Sequence, residues 1–379
     1  MEFPVGDVAT RRVEFSASEL TGAVGDSVTV LPVVVAVSAL TDLRLPVLLL
    51  WFGAFQVVWG LRYGAPVSVE PMKALAALVI AGSLTVPELA AAGTLAGAVL
   101  LALGTVGALG ALADRIDAAV IRGVQLAVAL VLARTGLELG AGAPKTALAA
   151  ALVGGTVVAL GYRRAAALVV LAAGVGLAAT KTGAPSLAVP EFGTAVAVDG
   201  GVGAALDGGI EAAFAPTPDA LAATSAQLAM TVGNAAVATS LLLDDLYDVD
   251  VSPDELATSM GAMNLLAVPL GALPMCHGSG GVAGKHAFGA RTAGANLVLG
   301  VLYAGAALGA AELVAAFPMA ALGVVLALVA VELGRASLDT DSLGLTVGVG
   351  VLGLATNVGL AFVAGIAASV ALKRMQEAA

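Results

Sequence analysis

Gly53-Ala54-Phe55-Gln56-Val57-Val58 is written a second time as Gly261-Ala262-Met263-Asn264-Leu265-Leu266. Gly25-Asp26 returns as Gly233-Asn234, and Pro66 as Pro274. The offsets 234 − 26, 261 − 53 and 274 − 66 all equal 208, so the pieces align without a gap. Polar Gln56 and Asn264 take the same place inside apolar segments. Weak internal symmetry with a Gly/Pro-interrupted apolar segment in each half is the sequence mark of a membrane transporter's binding site.

Composition supports the membrane. Of 379 residues, 59% are hydrophobic and 12% charged, and mean hydropathy is +1.01. Soluble domains carry about 25% charged residues. Apolar runs such as 84–112 and 343–372 are long enough to cross a bilayer. The first run follows a charged lead (Glu14, Glu19) and continues into Gly25-Asp26 with no small-residue cleavage site, so no cleavable signal peptide is expected. The net charge of −10 gathers in connecting segments such as 244–255, which argues against a nucleic-acid partner. Cys276 is the only cysteine, so no intrachain disulfide forms.

The expected fold is an all-α polytopic membrane protein of about fourteen transmembrane segments. Residues 1–180 form a seven-span repeat, 181–218 a linker, and 219–379 a second seven-span repeat. An odd count per half turns the halves antiparallel, which makes an inverted repeat. Arg11-Arg12 before the first span and Lys373-Arg374 after the last place both termini in the cytoplasm of a multi-pass cell-membrane protein. The fourth span is expected over 86–112, and short spans over 70–83 and 278–290.

Two segments interrupt the apolar pattern. In 63–74, Pro66 and Pro71 disfavour helix before themselves, so extended chain gives way to a helix starting near Pro71. In 271–281, Pro274 and the glycines have the same effect. Non-helical backbone at membrane depth persists only when buried in protein or lining a wet cavity. Each short helix then begins inside the protein with unpaired amides and a positive dipole end. Two such half-helices meeting near the midplane make an anion site. Gln56, Ser68, Val69, Glu70, Lys73, Asn264, Cys276, His277, Gly278, Ser279 and Gly280 are its candidate lining.

Asp26 is a carboxylate inside an apolar span, at a cost of about 2.5–3.5 kcal/mol or more. It reads as a coupling-ion site, as an ion-pair partner for Lys73, or as a helix cap. Two histidines and one cysteine are too few for a protein-bound zinc, so no metal, cofactor or catalytic centre is expected. Gly200-Gly201-Val202-Gly203 lacks the Lys-Ser/Thr of a phosphate loop and belongs to the linker.

Several blocks resemble the signature stretches of the molybdate transporter family, which is related to the sulfate permeases. They are Glu19-Leu20-Thr21-Gly22-Ala23-Val24-Gly25-Asp26, Val69-Glu70-Pro71-Met72-Lys73-Ala74, residues 273–284 with Phe288-Gly289-Ala290-Arg291-Thr292, and Phe317-Pro318-Met319-Ala320-Ala321-Leu322-Gly323-Val324 with Glu332-Leu333. The resemblance spans nearly the whole chain. It implies secondary-active uptake of molybdate by alternating access, in a seven-plus-seven inverted repeat divided into core and gate domains. The family commonly has Gln where this chain has Glu70. An ionised carboxylate there repels a dianion, unless it is protonated, couples protons to transport, or turns away. Asp26 and Glu70 are therefore the candidate coupling groups. The expected partners are molybdate or a similar oxyanion, a coupled proton or sodium ion, the lipid bilayer, and optionally a second copy in a homodimer. Other readings are sulfate, tungstate or another anion as cargo, a passive anion channel of the same fold, and an intramembrane metal-dependent enzyme.

Overall fold

The computed structural model describes residues 13–113, 115–182, 217–309, 313 and 316–377. The expected linker, 181–218, falls outside the described residues except at its two ends. The first half runs α1 (Ala17–Leu40), α2 (Leu45–Tyr63), β1 (Glu70–Pro71), α3 (Lys73–Ile80), α4 (Val86–Thr105), α5 (Leu109–Ala113), α6 (Ala118–Ala141), α7 (Pro144–Ala159) and α8 (Ala166–Thr182). In the second half α9 (Pro218–Met230) passes through a π-helical stretch, Thr231–Val237, into α10 (Ala238–Tyr247). Then come α11 (Pro253–Ala267), β2 (Met275–Cys276), α12 (Ser279–Ala287), α13 (Gly294–Ala307), α14 (Met319–Ser337), α15 (Leu343–Ala355) and α16 (Val358–Glu377).

Among the described residues, seven helices are long and apolar enough to cross a membrane. α1, bent by 45° between Val28 and Val30, makes an eighth, and three more apolar helices are shorter. Sequence signals set several starts. Ser16 accepts the Glu19 amide at the head of α1, and Thr85–Glu88 and Ser252–Glu255 form capping boxes on α4 and α11. The span expected over 86–112 is corrected: α4 stops at Thr105, and Gly107 takes a left-handed conformation (φ 68°). A side chain at such a φ is strained, so the chain turns there before the short α5.

The interruption is built alike in both halves. α2 ends on left-handed Gly64 (φ 63°), and the single 3-10 turn after α11 ends on left-handed Gly271 (φ 89°). Each chain then runs extended into a two-residue strand. The strands pair with each other, antiparallel, with Glu70 opposite Cys276 and Pro71 opposite Met275. The Met72 amide continues the ladder to the Pro274 carbonyl at 2.8 Å. Antiparallel register sends α3 and α12 away from the crossing in opposite directions, with their N-termini inward.

Packing between the halves is reciprocal. α2 lies along α13 while α11 lies along α4, α1 meets α12 while α9 meets α3, and α6 packs on α14. Small residues allow these approaches: a methyl on Gly53 would come within 3.2 Å of the Gly300 carbonyl. In lipid, where apolar side chains gain little from leaving their solvent, close backbone approach of this kind supplies much of the association. Large apolar side chains such as Leu148, Leu152 and Val301 stay on the outside.

Candidate functional site

The paired strands put both broken segments at one place, walled by α1, α2 and α13. α1 approaches closely because Gly25 faces Gly284 and Phe288 with no side chain between them. That contact lays Asp26 beside the crossing.

Asp26 is fully buried, and its cation is Lys285 of α12, with Nζ 3.3 Å from Oδ2. The expected Asp26–Lys73 pair is therefore corrected. The reason is geometric: α12 packs along α1 and brings Lys285 to Asp26, while Lys73, at the start of α3, pairs with Glu70 three residues before it. Asp26 also accepts from the Ser68 hydroxyl and the Gln56 amide. Lys285 is equally buried and donates to Gln56 Oε1 (2.7 Å), the Val67 carbonyl (2.7 Å) and Asn296 Oδ1 (2.8 Å). All three ammonium protons have acceptors. A buried charge pair is tolerated only when its remaining hydrogen-bonding capacity is satisfied in this way.

Glu70 carries the second centre. Its side chain is fully buried and pairs with Lys73, whose side chain is 26% exposed. Glu70 Oε1 accepts the Gly281 amide at 2.6 Å, in the first turn of α12. The carboxylate thus occupies the position at the helix N-terminus where an anionic ligand was expected to sit. A methyl on Gly278 would overlap the Glu70 carboxylate. One on Gly281 would stand on the Ser68 hydroxyl, Asp26 Oδ1 and Glu70 Oε1 together. The two glycines form the cradle into which Glu70 reaches.

The matching end of α3 is closed differently. Gln227 Oε1 of α9 accepts the Ala74 amide at 2.9 Å, and Gln227 Nε2 donates to Thr231 at 2.9 Å. Side chains thus bond part of each helix end: Glu70 takes the Gly281 amide, and Gln227 the amides of Ala74 and Leu75. Ser279 is half-buried and Gly280 exposed. With partly exposed Lys73, they form the more open side of the crossing.

The other candidates hold the backbone. Gln56 Nε2 reaches the Val69 carbonyl at 3.2 Å, and Asn264 grips Met275 by both its carbonyl (2.6 Å) and its amide (2.8 Å). The two repeat-related amides thus tie the second helix of each half to its own extended segment. His277 bonds the Ser68 carbonyl (Nδ1, 3.0 Å) and the Ser259 hydroxyl (Nε2, 2.7 Å), with Trp59 and Tyr63 edge-on to its ring. Cys276 is buried, its sulfur 4.0 Å from the Pro71 carbonyl. Val69 is buried at the base of the crossing.

Three residues of this centre escaped the sequence reading. Lys285 is a cation in the short interrupted helix, and Asp26's need for a countercharge was the signal that could have found it. Asn296 and Gln227 gave no comparable signal, since polar residues on neighbouring spans acquire meaning only through packing.

A family profile described as "Molybdate transporter of MFS superfamily" matches residues 18–132 and 219–333, more than half the chain. The chain belongs to the molybdate transporter family. Two proteins of Arabidopsis thaliana named molybdate transporter 2 and molybdate transporter 1 are each 30% identical. Both alignments cover 86% of this chain, and 80% and 81% of the respective relative. A molybdate transporter 1 of Chlamydomonas reinhardtii is 28% identical over 92% of this chain and 90% of its own length. Among solved structures, the transmembrane domain of the cyanobacterium bicarbonate transporter BicA superposes with a TM-score of 0.63 at 18% identity, covering 92% of this chain and 96% of that one. The murine anion transporter Slc26a9, in its inward-facing state, gives 0.64 at 16% identity over 96% and 69%. This family member is therefore a multi-pass membrane protein with the SLC26-type fold. Its relatives are transporters rather than enzymes.

Proposed function

We propose that this protein is a secondary-active transporter that carries molybdate, or a similar tetrahedral oxyanion, by alternating access. One observation carries the reading: two broken segments, paired antiparallel within an apolar helical assembly, bring two helix N-termini and Lys73 to one partly exposed point. Each N-terminus carries roughly half a positive charge, and amides there suit oxygen anions. Lys73, Ser279 and the amides around Gly278 and Gly280 would touch the ligand. Ser68, Gln56, Asn264 and His277 would hold the crossing in shape, with Val69 and Cys276 at its floor. The names of the family relatives favour molybdate over other anions. Sulfate and tungstate share its shape and charge and are the nearest competitors.

The fold reading is a seven-plus-seven inverted repeat of about fourteen segments, 1–180 and 219–379, divided into core and gate domains, with both termini cytoplasmic. It counts α3, α11 and α12 as segments beside the apolar helices. Reciprocal packing of the halves and the antiparallel crossing support it.

The test is uptake of labelled molybdate into proteoliposomes. Accumulation above the outside concentration, driven by an imposed ion gradient and blocked by excess tungstate, is the expected result. Flux that only ever runs downhill would make the protein a channel of the same fold.

A further inference from the structure

Four charges meet at the crossing: carboxylates from Asp26 and Glu70, ammoniums from Lys73 and Lys285. They balance with no ligand present. A dianion added to this centre leaves it two charges negative in a medium that stabilises charge poorly, and buried charge without compensation is among the costliest arrangements in a protein. The ligand's place is also taken, because Glu70 Oε1 already accepts the Gly281 amide and its other oxygen pairs with Lys73.

Resting on the oxyanion-site reading above, we propose that Glu70 is a tethered stand-in for the substrate, displaced by proton uptake, so that one proton enters with each oxyanion. In the exchange a proton from solution binds the Glu70 carboxylate. Its ion pair with Lys73 and its bond from Gly281 break. Oxyanion oxygens then accept from the Lys73 ammonium and the Gly281 amide. The centre changes by one positive and two negative charges. The surplus negative charge faces two helix N-termini worth roughly half a charge each.

The surroundings favour a proton over sodium. The groups around Glu70 are Asp26 on α1, Lys73 beside it, Cys276 and His277 on the facing segment, Lys285 on α12 and Tyr303 on α13. Glu70 accepts from Gly281 and Lys73, and Asp26 accepts from Ser68 and Gln56 beside Lys285. A sodium ion would have to displace these donors to reach either carboxylate, whereas a proton binds a carboxylate oxygen directly.

Molybdate titration of the purified protein in weakly buffered solution, with a pH indicator, tests this. The wild type should take up about one proton per molybdate, and its Kd should rise about tenfold per pH unit above neutrality, without sodium. Glu70→Gln should bind with no proton uptake and a flat Kd. Unchanged uptake in Glu70→Gln, a pH-independent wild type, or binding that requires sodium overturns the proposal. If Glu70→Gln does not fold, Glu70→Ala serves in its place, and the wild-type slope decides in any case. Wild-type protein that binds neither molybdate, tungstate nor sulfate at any pH overturns the site reading itself. Binding without protons overturns only the exchange.

Discussion

At the scale of single residues, the two lysines differ in what they serve. Lys285 has no exposed surface, and its protons are taken by Gln56, Val67 and Asn296 beside Asp26. Removing it strands a buried carboxylate, which costs about 3–5 kcal/mol. Lys285→Ala is therefore expected to lower the melting temperature sharply or to prevent assembly, and Asp26→Asn in the same chain should restore part of the loss. A double variant no better than the single would show that the pair does not act as a unit. Lys73 is partly exposed, but its partner Glu70 is fully buried, so Lys73→Ala is expected to lower the melting temperature too, by less than Lys285→Ala because Glu70 keeps the Gly281 amide.

At the scale of elements, the glycines of α12 separate shape from chemistry. A methyl on Gly281 collides with Ser68, Asp26 and Glu70, whereas one on Gly280 has Glu70 Oε1 at 3.9 Å as its nearest neighbour. Gly281→Ala should destabilise the protein and abolish oxyanion binding. Gly280→Ala should keep the melting temperature, because Ala suits a helix better than Gly. Equal melting temperatures for the two would contradict the cradle. Much of this element was legible in the sequence: Pro66, Pro71, Pro274 and the Gly278–Gly281 glycines announced two broken helices, and the 208-residue offset announced that they correspond. The pairing of the strands was not legible, because a two-residue ladder leaves no periodicity to read. Nor was Glu70's position on Gly281. A carboxylate expected to repel the ligand instead accepts the Gly281 amide that we propose the ligand takes, and only the crossing geometry brings residues 70 and 281 together.

At the scale of the molecule, reciprocal contacts between halves replace a conventional boundary between two independent domains. α2 packs on α13 and α11 on α4, so neither half buries its own helices alone. The proposed topology, with an odd number of spans per half, would place the end of α8 outside the cell and the end of α16 inside. In a Cys276→Ser background, an impermeant maleimide should label Lys181→Cys in intact cells but reach Met375→Cys only after permeabilisation. Labelling of both from the same side would break the inverted arrangement. The positive-residue bias is the ground for expecting this orientation. Composition could not show which faces of α6 and α14 meet, because their small residues, Gly136 and Gly323 among them, are no different in kind from those facing lipid.

The centre of the whole proposal is that Lys73 and the N-terminus of α12 hold an oxyanion. Equilibrium binding of molybdate to purified wild type and Lys73→Ala, both verified as monodisperse, addresses it with no assumption about coupling. Saturable binding by the wild type and its loss, by tenfold or more (about 1.4 kcal/mol), in the variant is the expected result; equal affinity in the two proteins would place the ligand elsewhere.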